Sequence, residues 1–153
     1  MLENKKYDEL IKNVNSSLSA LLQTGRYYLY QILLSEKFFG NIVVDVKSEL
    51  LVFRFISDRD DYSSYVYSHE KNSHVYLLND VFRYINIASI KSKNQFFEYL
   101  RDNADAIYNN NEKIHNVLCP EDALESLEKV VVKRDKILIF SELPYVSILF
   151  KAD

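Results

Sequence analysis

The chain contains few of the residues that special architectures need: two glycines, two prolines, one cysteine and no tryptophan among 153 residues. So little glycine and proline excludes collagen-like and linker-like chains, and it leaves no glycine-rich loop of the kind that binds phosphates. The single cysteine, Cys119, cannot form an internal disulfide, which is typical of a protein from a reducing compartment. The sequence therefore predicts a cytoplasmic protein.

Long apolar runs are also missing. The longest uninterrupted ones have four residues, as in Leu50–Phe53. A helix that crosses a bilayer needs about 20 largely apolar residues. No apolar stretch of signal-peptide length follows the charged start of the chain. We therefore expect neither a membrane segment nor an export signal.

The charge of the chain is weakly acidic and unevenly distributed. The formal net charge is −3, from 19 basic and 22 acidic residues. Nucleic-acid binding depends largely on Lys and Arg neutralising phosphates, so this balance argues against a nucleic-acid partner. Residues 41–80 hold four basic and seven acidic residues, and this segment alone accounts for the whole net charge. A surface formed by this segment is expected to attract basic partners.

Helical periodicity dominates the first part of the chain. Apolar residues from Tyr7 to Leu22 recur at steps of three and four, as on one face of a helix. Gly25 then offers a stop, because glycine readily adopts the left-handed conformation that ends helices. The pattern predicts helix from about residue 3 to about residue 36, with a break near Gly25, as one helix or a helix pair.

After Gly40 the apolar pattern changes to period two, which is typical of strands with one buried face. Short polar connections between these segments favour antiparallel pairing, because a parallel crossover needs a dozen or more residues. Residues 136–140 and 145–150 indicate a terminal hairpin, and Pro120 suits the first turn of a late helix. We predict one α+β domain spanning residues 1–153, with an N-terminal helix or helix pair, an antiparallel sheet of about five to six strands, and further helices in the C-terminal half.

The histidines and the cysteine form no recognisable catalytic or metal motif. His69 and His74 are five residues apart, whereas the zinc-protease motif needs two histidines four apart on one helical face. His115 and Cys119 are one helical turn apart, but a free cysteine is usually packing material. We predict no catalytic residue, no metal and no cofactor. A small enzyme with a site assembled around the histidines from distant residues is the alternative.

An acidic cluster followed by tyrosines is the most distinctive local feature. Asp58 opens it, but counting from there puts Ser63 and His69 where an EF-hand needs glycine and glutamate. Tyrosine is enriched at protein interfaces, and the chain contains 12 of them. A solvated turn beside ordinary strand tyrosines is the alternative. The predicted partner-binding residues are Asp58, Asp60, Asp61, Tyr62, Tyr65 and Tyr67. Alternation places Tyr65 and Tyr67 on one face of the strand and Tyr62 on the other.

In size, acidic charge and lack of catalytic motifs, the chain resembles the bacterial immunity proteins that neutralise toxin domains of contact-dependent inhibition systems. The resemblance implies a non-enzymatic inhibitor that binds a basic, nuclease-like toxin domain and covers its active site. Acidic side chains would then meet the Lys and Arg residues with which the toxin holds its substrate. The resemblance carries no site residue by motif. A homodimeric structural or adaptor protein is a further alternative, and the sequence leaves a monomer and a homodimer equally open.

Overall fold

The architecture of the chain is given by a computed structural model that describes residues 7–35, 41–59, 61–68, 75–91, 94–119, 133–134 and 146–150. Its helices and strands are, in chain order, α1 (Asp8–Ser17), α2 (Ser19–Leu22), β1 (Tyr28–Ser35), β2 (Asn41–Lys47), β3 (Leu51–Asp58), β4 (Asp61–Ser68), β5 (Val75–Leu77), α3 (Leu78–Tyr84), α4 (Phe96–Asn109), α5 (Asn111–Leu118), β6 (Lys133–Arg134) and β7 (Val146–Phe150). None of the helices within these residues is both long enough and apolar enough to cross a membrane.

The strands form one antiparallel sheet with the order β6-β5-β4-β3-β2-β1-β7. Strands β1 to β5 form a meander, in which each strand pairs with the next along the chain. The last two strands join opposite edges, β6 beside β5 and β7 beside β1. The predicted α+β class with an antiparallel sheet is confirmed, and within the described residues seven strands belong to the sheet.

Strand β1 corrects the sequence prediction, which extended helix to about residue 36. The helix predicted before Gly25 is confirmed as α1 and α2, and Gly25 follows them with a φ of 73°. The helix predicted after Gly25 is β1 instead. Leu29, Ile32 and Leu34 of β1 are buried in the main core although the first two are three positions apart instead of two. A register shift between Leu29 and Gln31 explains this spacing. The bulge breaks the period of two by which a strand is recognised in a sequence.

The main core lies between one face of the sheet and the helices. Its sheet side includes Phe53 and Phe55 at the centre of β3, both fully buried. The helix side is built from apolar residues at helical spacing on α1, α2, α4 and α5, namely Val14, Leu18, Leu21, Leu100, Ala104, Ile107, Ile114 and Leu118. A smaller apolar cluster lies on the opposite face of the sheet and contains Val52, Tyr67 and Val75.

Helices α4 and α5 confirm the further helices predicted in the C-terminal half. They meet at Asn110, which ends α4 and precedes α5. Strand β7 confirms most of the second strand of the predicted terminal hairpin. The first strand of that hairpin and the helix predicted from Pro120 lie outside the described residues.

Candidate partner-binding surface

The acidic cluster forms the tip of the β3–β4 hairpin. Asp58 and Asp61 are paired across the hairpin, and both side chains are exposed. Asn41 of the neighbouring strand holds this tip, because its Nδ2 donates to Asp58 Oδ1 at 3.0 Å and its Oδ1 accepts from the Arg59 N–H at 3.1 Å. Arg59 has a φ of 54°, a left-handed conformation. We call Asp58–Asp61 the acidic turn; Asp60 itself lies outside the described residues.

Tyr62 belongs to the packing between sheet and helix. Its ring lies 5.5 Å from the rings of both Phe96 and Tyr99, and its hydroxyl donates to the backbone oxygen of Asn94 at 3.3 Å. These contacts attach the start of α4 to the sheet. Tyr62 is half-buried, so its main role in the fold is to hold this junction.

Tyr65 and Tyr67 lie on the opposite face of β4, which confirms the alternation predicted from the sequence. Tyr65 is half-buried, whereas Tyr67 is 8% exposed and packs with Val52 and Val75. A strand advances about 3.3 Å per residue, so Tyr67 lies roughly 20 Å along β4 from Asp61. The five predicted residues that the structure describes therefore do not form one patch, and burial of Tyr67 leaves little of its ring for a partner.

A buried ion pair lies beside these tyrosines and was not predicted from the sequence. Arg54 Nε and one terminal nitrogen donate to the two oxygens of Asp45, each at 2.7 Å. Gln31 Nε2 adds a third hydrogen bond to the same carboxylate at 2.6 Å. The three residues are cross-strand partners on β1, β2 and β3, and the register continues to Tyr65 on β4. The signal in the sequence is an acid and a base that each have apolar neighbours, Asp45 between two valines and Arg54 between two phenylalanines.

The surroundings of Tyr67 favour its neutral form. The pKa of Tyr67 is raised to about 12, chiefly by burial and to a smaller extent by the Asp45 carboxylate, while Arg54 acts in the opposite direction. On the helix-covered side of the sheet, burial likewise raises the pKa of Tyr27 to about 12, while Arg26 acts in the opposite direction. Both hydroxyls therefore remain protonated at neutral pH, and neither serves as a base there.

These raised pKa values predict a loss of stability in strong alkali. The folded protein holds each phenolic proton more tightly than the unfolded chain, whose tyrosines titrate near pH 10. The stabilisation is therefore fully present below pH 10 and is lost as the pH rises through about 12. We expect Tyr67→Phe to reduce the fall in unfolding free energy over this range by about 2–3 kcal/mol, and Tyr27→Phe to act likewise. Urea denaturation at several pH values measures this, and parallel profiles for variant and parent would contradict it.

A cleft of roughly 680 Å³ lies at the other end of the sheet, between the start of β1 and the junction of α4 with α5. Most of its lining residues are polar, although their apolar atoms contribute more of the lining surface: Thr24, Arg26, Tyr27, Tyr108, Asn109, Asn110, Asn111, Glu112 and Lys113. Arg26 forms an ion pair with Glu112 at 3.2 Å across it. The sequence analysis missed this cleft because its walls come from segments about 80 residues apart.

His115 stands behind the cleft. Its Nδ1 lies 2.9 Å from the Asn111 carbonyl oxygen, which can only accept, so this nitrogen carries the proton. The ring meets Tyr27 edge-on at 6.4 Å, and the Cys119 N–H donates to the His115 carbonyl oxygen at 2.9 Å. These contacts make His115 a packing residue of the α5 face. His69 and His74 lie outside the described residues, within which no group of three or more His, Cys, Asp or Glu could hold a metal ion.

Comparison of the chain with protein-family models, curated proteins and solved structures found no match. What this surface can bind is therefore inferred from its own residues. The acidic turn presents exposed carboxylates on a braced hairpin, which suits the docking of a cationic surface.

Proposed function

We propose that this protein is a non-enzymatic protein-binding module of the immunity type, which docks a basic toxin domain through the acidic turn. The main support for this proposal is the pair of exposed carboxylates, Asp58 and Asp61, at the end of a hairpin that Asn41 braces. Carboxylates placed in this way attract the Lys and Arg side chains with which a nuclease-like domain holds its anionic substrate. Occupying those side chains would inhibit the toxin.

The bracing of the turn supports binding because it lowers the entropy lost on association. Asn41 contacts both the side chain of Asp58 and the backbone of Arg59, so these two residues are held in place before a partner arrives. Among the predicted tyrosines, Tyr65 is the best remaining anchor. It shares its strand face with Asp61 by alternation, about 13 Å away, and its ring is only half-buried.

Neutralising the acidic turn is expected to slow association with the basic partner. In the triple variant Asp58→Ser, Asp60→Ser and Asp61→Ser, we expect an association rate about tenfold lower at low salt, since charges that steer encounter act mainly on this rate. The salt dependence should flatten in the same variant. Arg59→Gln removes the opposing charge from the same turn and is expected to change the rate in the opposite direction.

The control triple Glu49→Gln, Glu98→Gln and Asp105→Asn removes three exposed acids elsewhere on the protein. Partners are captured from a lysate of the source cells on the tagged parent chain, identified by mass spectrometry, purified, and measured by stopped flow at two salt concentrations. Support requires a basic partner that the control triple binds like the parent and that the acidic-turn variant binds slowly. A partner with equal rates for both variants would refute the docking role.

A further inference from the structure

The cleft beside α5 is a preformed cavity that lies far from the acidic turn. It lies at the start of β1, whereas the acidic turn adjoins Asn41, which pairs with Ser35 at the far end of β1. Eight residues of strand separate the two ends by about 25 Å. The volume of roughly 680 Å³ lies within the range of small-molecule sites. A ligand there would not compete for the residues of the proposed docking surface.

Internal hydrogen bonds hold the walls of the cleft in place. The Tyr27 hydroxyl donates to Asn111 Oδ1, and its ring packs on Phe53 of the core with ring centroids 5.9 Å apart. The Thr24 hydroxyl donates to the Leu21 carbonyl oxygen at 2.7 Å. Asn110 Nδ2 donates to the Ala106 carbonyl oxygen at 2.9 Å. These polar groups are therefore positioned before any ligand enters.

The cleft carries an excess of positive charge although the whole chain is acidic. Of its two cations, Arg26 contacts one oxygen of Glu112 through a single terminal nitrogen and stays 48% exposed. Lys113 forms no ion pair with any residue in the described part of the chain. Glu112 compensates only one of the two cations, so the cleft favours a ligand with an anionic group.

An aromatic ring at the rim adds a second recognition element. Tyr108 stands on the last turn of α4 and is 53% exposed. It is the only large hydrophobic side chain that is exposed within the described residues. An aromatic face open to solvent beside paired and unpaired cations is suited to stacking a flat ring.

We propose that this cleft binds a small ligand that joins a flat aromatic ring to an anionic group, as a nucleoside monophosphate does. The ring stacks on Tyr108, and the anionic group meets Arg26 and Lys113. The asparagines of the α4–α5 junction supply amide donors and acceptors for the ring edge and the sugar hydroxyls.

The test uses AMP as the probe, with adenosine and inorganic phosphate as its two halves, and measures binding to the full chain by calorimetry. We expect Tyr108→Ala to weaken AMP and adenosine binding by about tenfold without changing phosphate binding. Lys113→Gln is expected to weaken AMP and phosphate binding but not adenosine binding. Matched controls are Arg101→Ala, two turns before Tyr108 on α4, and Asn116→Ala on α5, since both residues are exposed and lie outside the cleft.

Thermal melts establish that each variant is folded before binding is compared. Absence of AMP binding at millimolar concentration to the folded parent would overturn the proposal. AMP binding that Tyr108→Ala and Lys113→Gln leave unchanged would overturn it as well. The acidic-turn triple variant is expected to bind AMP like the parent, so failure of the docking proposal and failure of the cleft proposal are distinguishable.

Discussion

Replacement of Arg54 by methionine is expected to lower the free energy of unfolding by about 3–5 kcal/mol. Arg54 and Asp45 are 7% and 2% exposed and are joined by two hydrogen bonds of 2.7 Å. Removing the guanidinium leaves the Asp45 carboxylate buried, with Gln31 as the remaining partner that the structure shows. A buried charge without its counter-ion is one of the most costly defects in a folded protein.

A double replacement separates the net contribution of the ion pair to the free energy of unfolding from the penalty of leaving one charge unpaired. Asp45→Leu combined with Arg54→Met exchanges both charges for apolar side chains, and such exchanges are often neutral or stabilising. We expect the double variant to recover most of the stability that Arg54→Met loses. Arg54→Lys keeps the charge but loses the two-pronged geometry, so its loss should be intermediate. Urea denaturation gives the three free energies; a cost below about 1 kcal/mol for Arg54→Met would show that the pair is solvated.

Replacement of Phe53 by alanine is expected to lower the free energy of unfolding by about 3–5 kcal/mol. Phe53 is fully buried at the centre of β3, the middle strand of the sheet. Its removal leaves a cavity between the sheet and the helices, because strands bonded on both sides cannot close around the space. Tyr27 rests on this ring, so the cavity also loosens one wall of the cleft.

Phe53→Leu is the matched control, since an apolar replacement that fills most of the volume usually costs less than about 1.5 kcal/mol. Both variants are compared by urea denaturation, with the slope of the transition used to check that the folded state stays compact. Equal losses for the alanine and leucine variants would contradict the cavity argument. In that case a defect shared by both replacements, rather than missing volume, would account for the loss.

Local sequence patterns were sufficient to predict an element wherever neighbouring residues determine its conformation. The spacing of apolar residues from Tyr7 to Leu22 predicted the helical segment that forms α1 and α2, and alternation after Gly40 predicted β2, β3 and β4. The position of Tyr62 opposite Tyr65 and Tyr67 followed from the same alternation. The cluster of aspartates predicted the exposed turn of the β3–β4 hairpin, because adjacent charged residues are costly to bury.

Local patterns failed where distant segments decide the outcome. Residues 28–35 are apolar on nearly all sides, so their periodicity does not separate helix from strand. Pairing with β2 on one side and β7 on the other makes them a strand, and the bulge after Leu29 conceals the alternation. The placement of β6 and β7 at opposite edges also depends on contacts over a long sequence distance.

The features of the candidate sites also fall into those that local sequence predicts and those that tertiary contacts decide. The sequence by itself determined the α+β class, the antiparallel meander and the charge of the acidic turn, since each follows from residues close together in the chain. Tertiary structure alone decided that Tyr67 is buried, that Asp45 meets Arg54, and that Arg26 and Lys113 share a cleft. Burial and ion pairing depend on which surfaces the folded chain brings together, and no local pattern of residues encodes that choice.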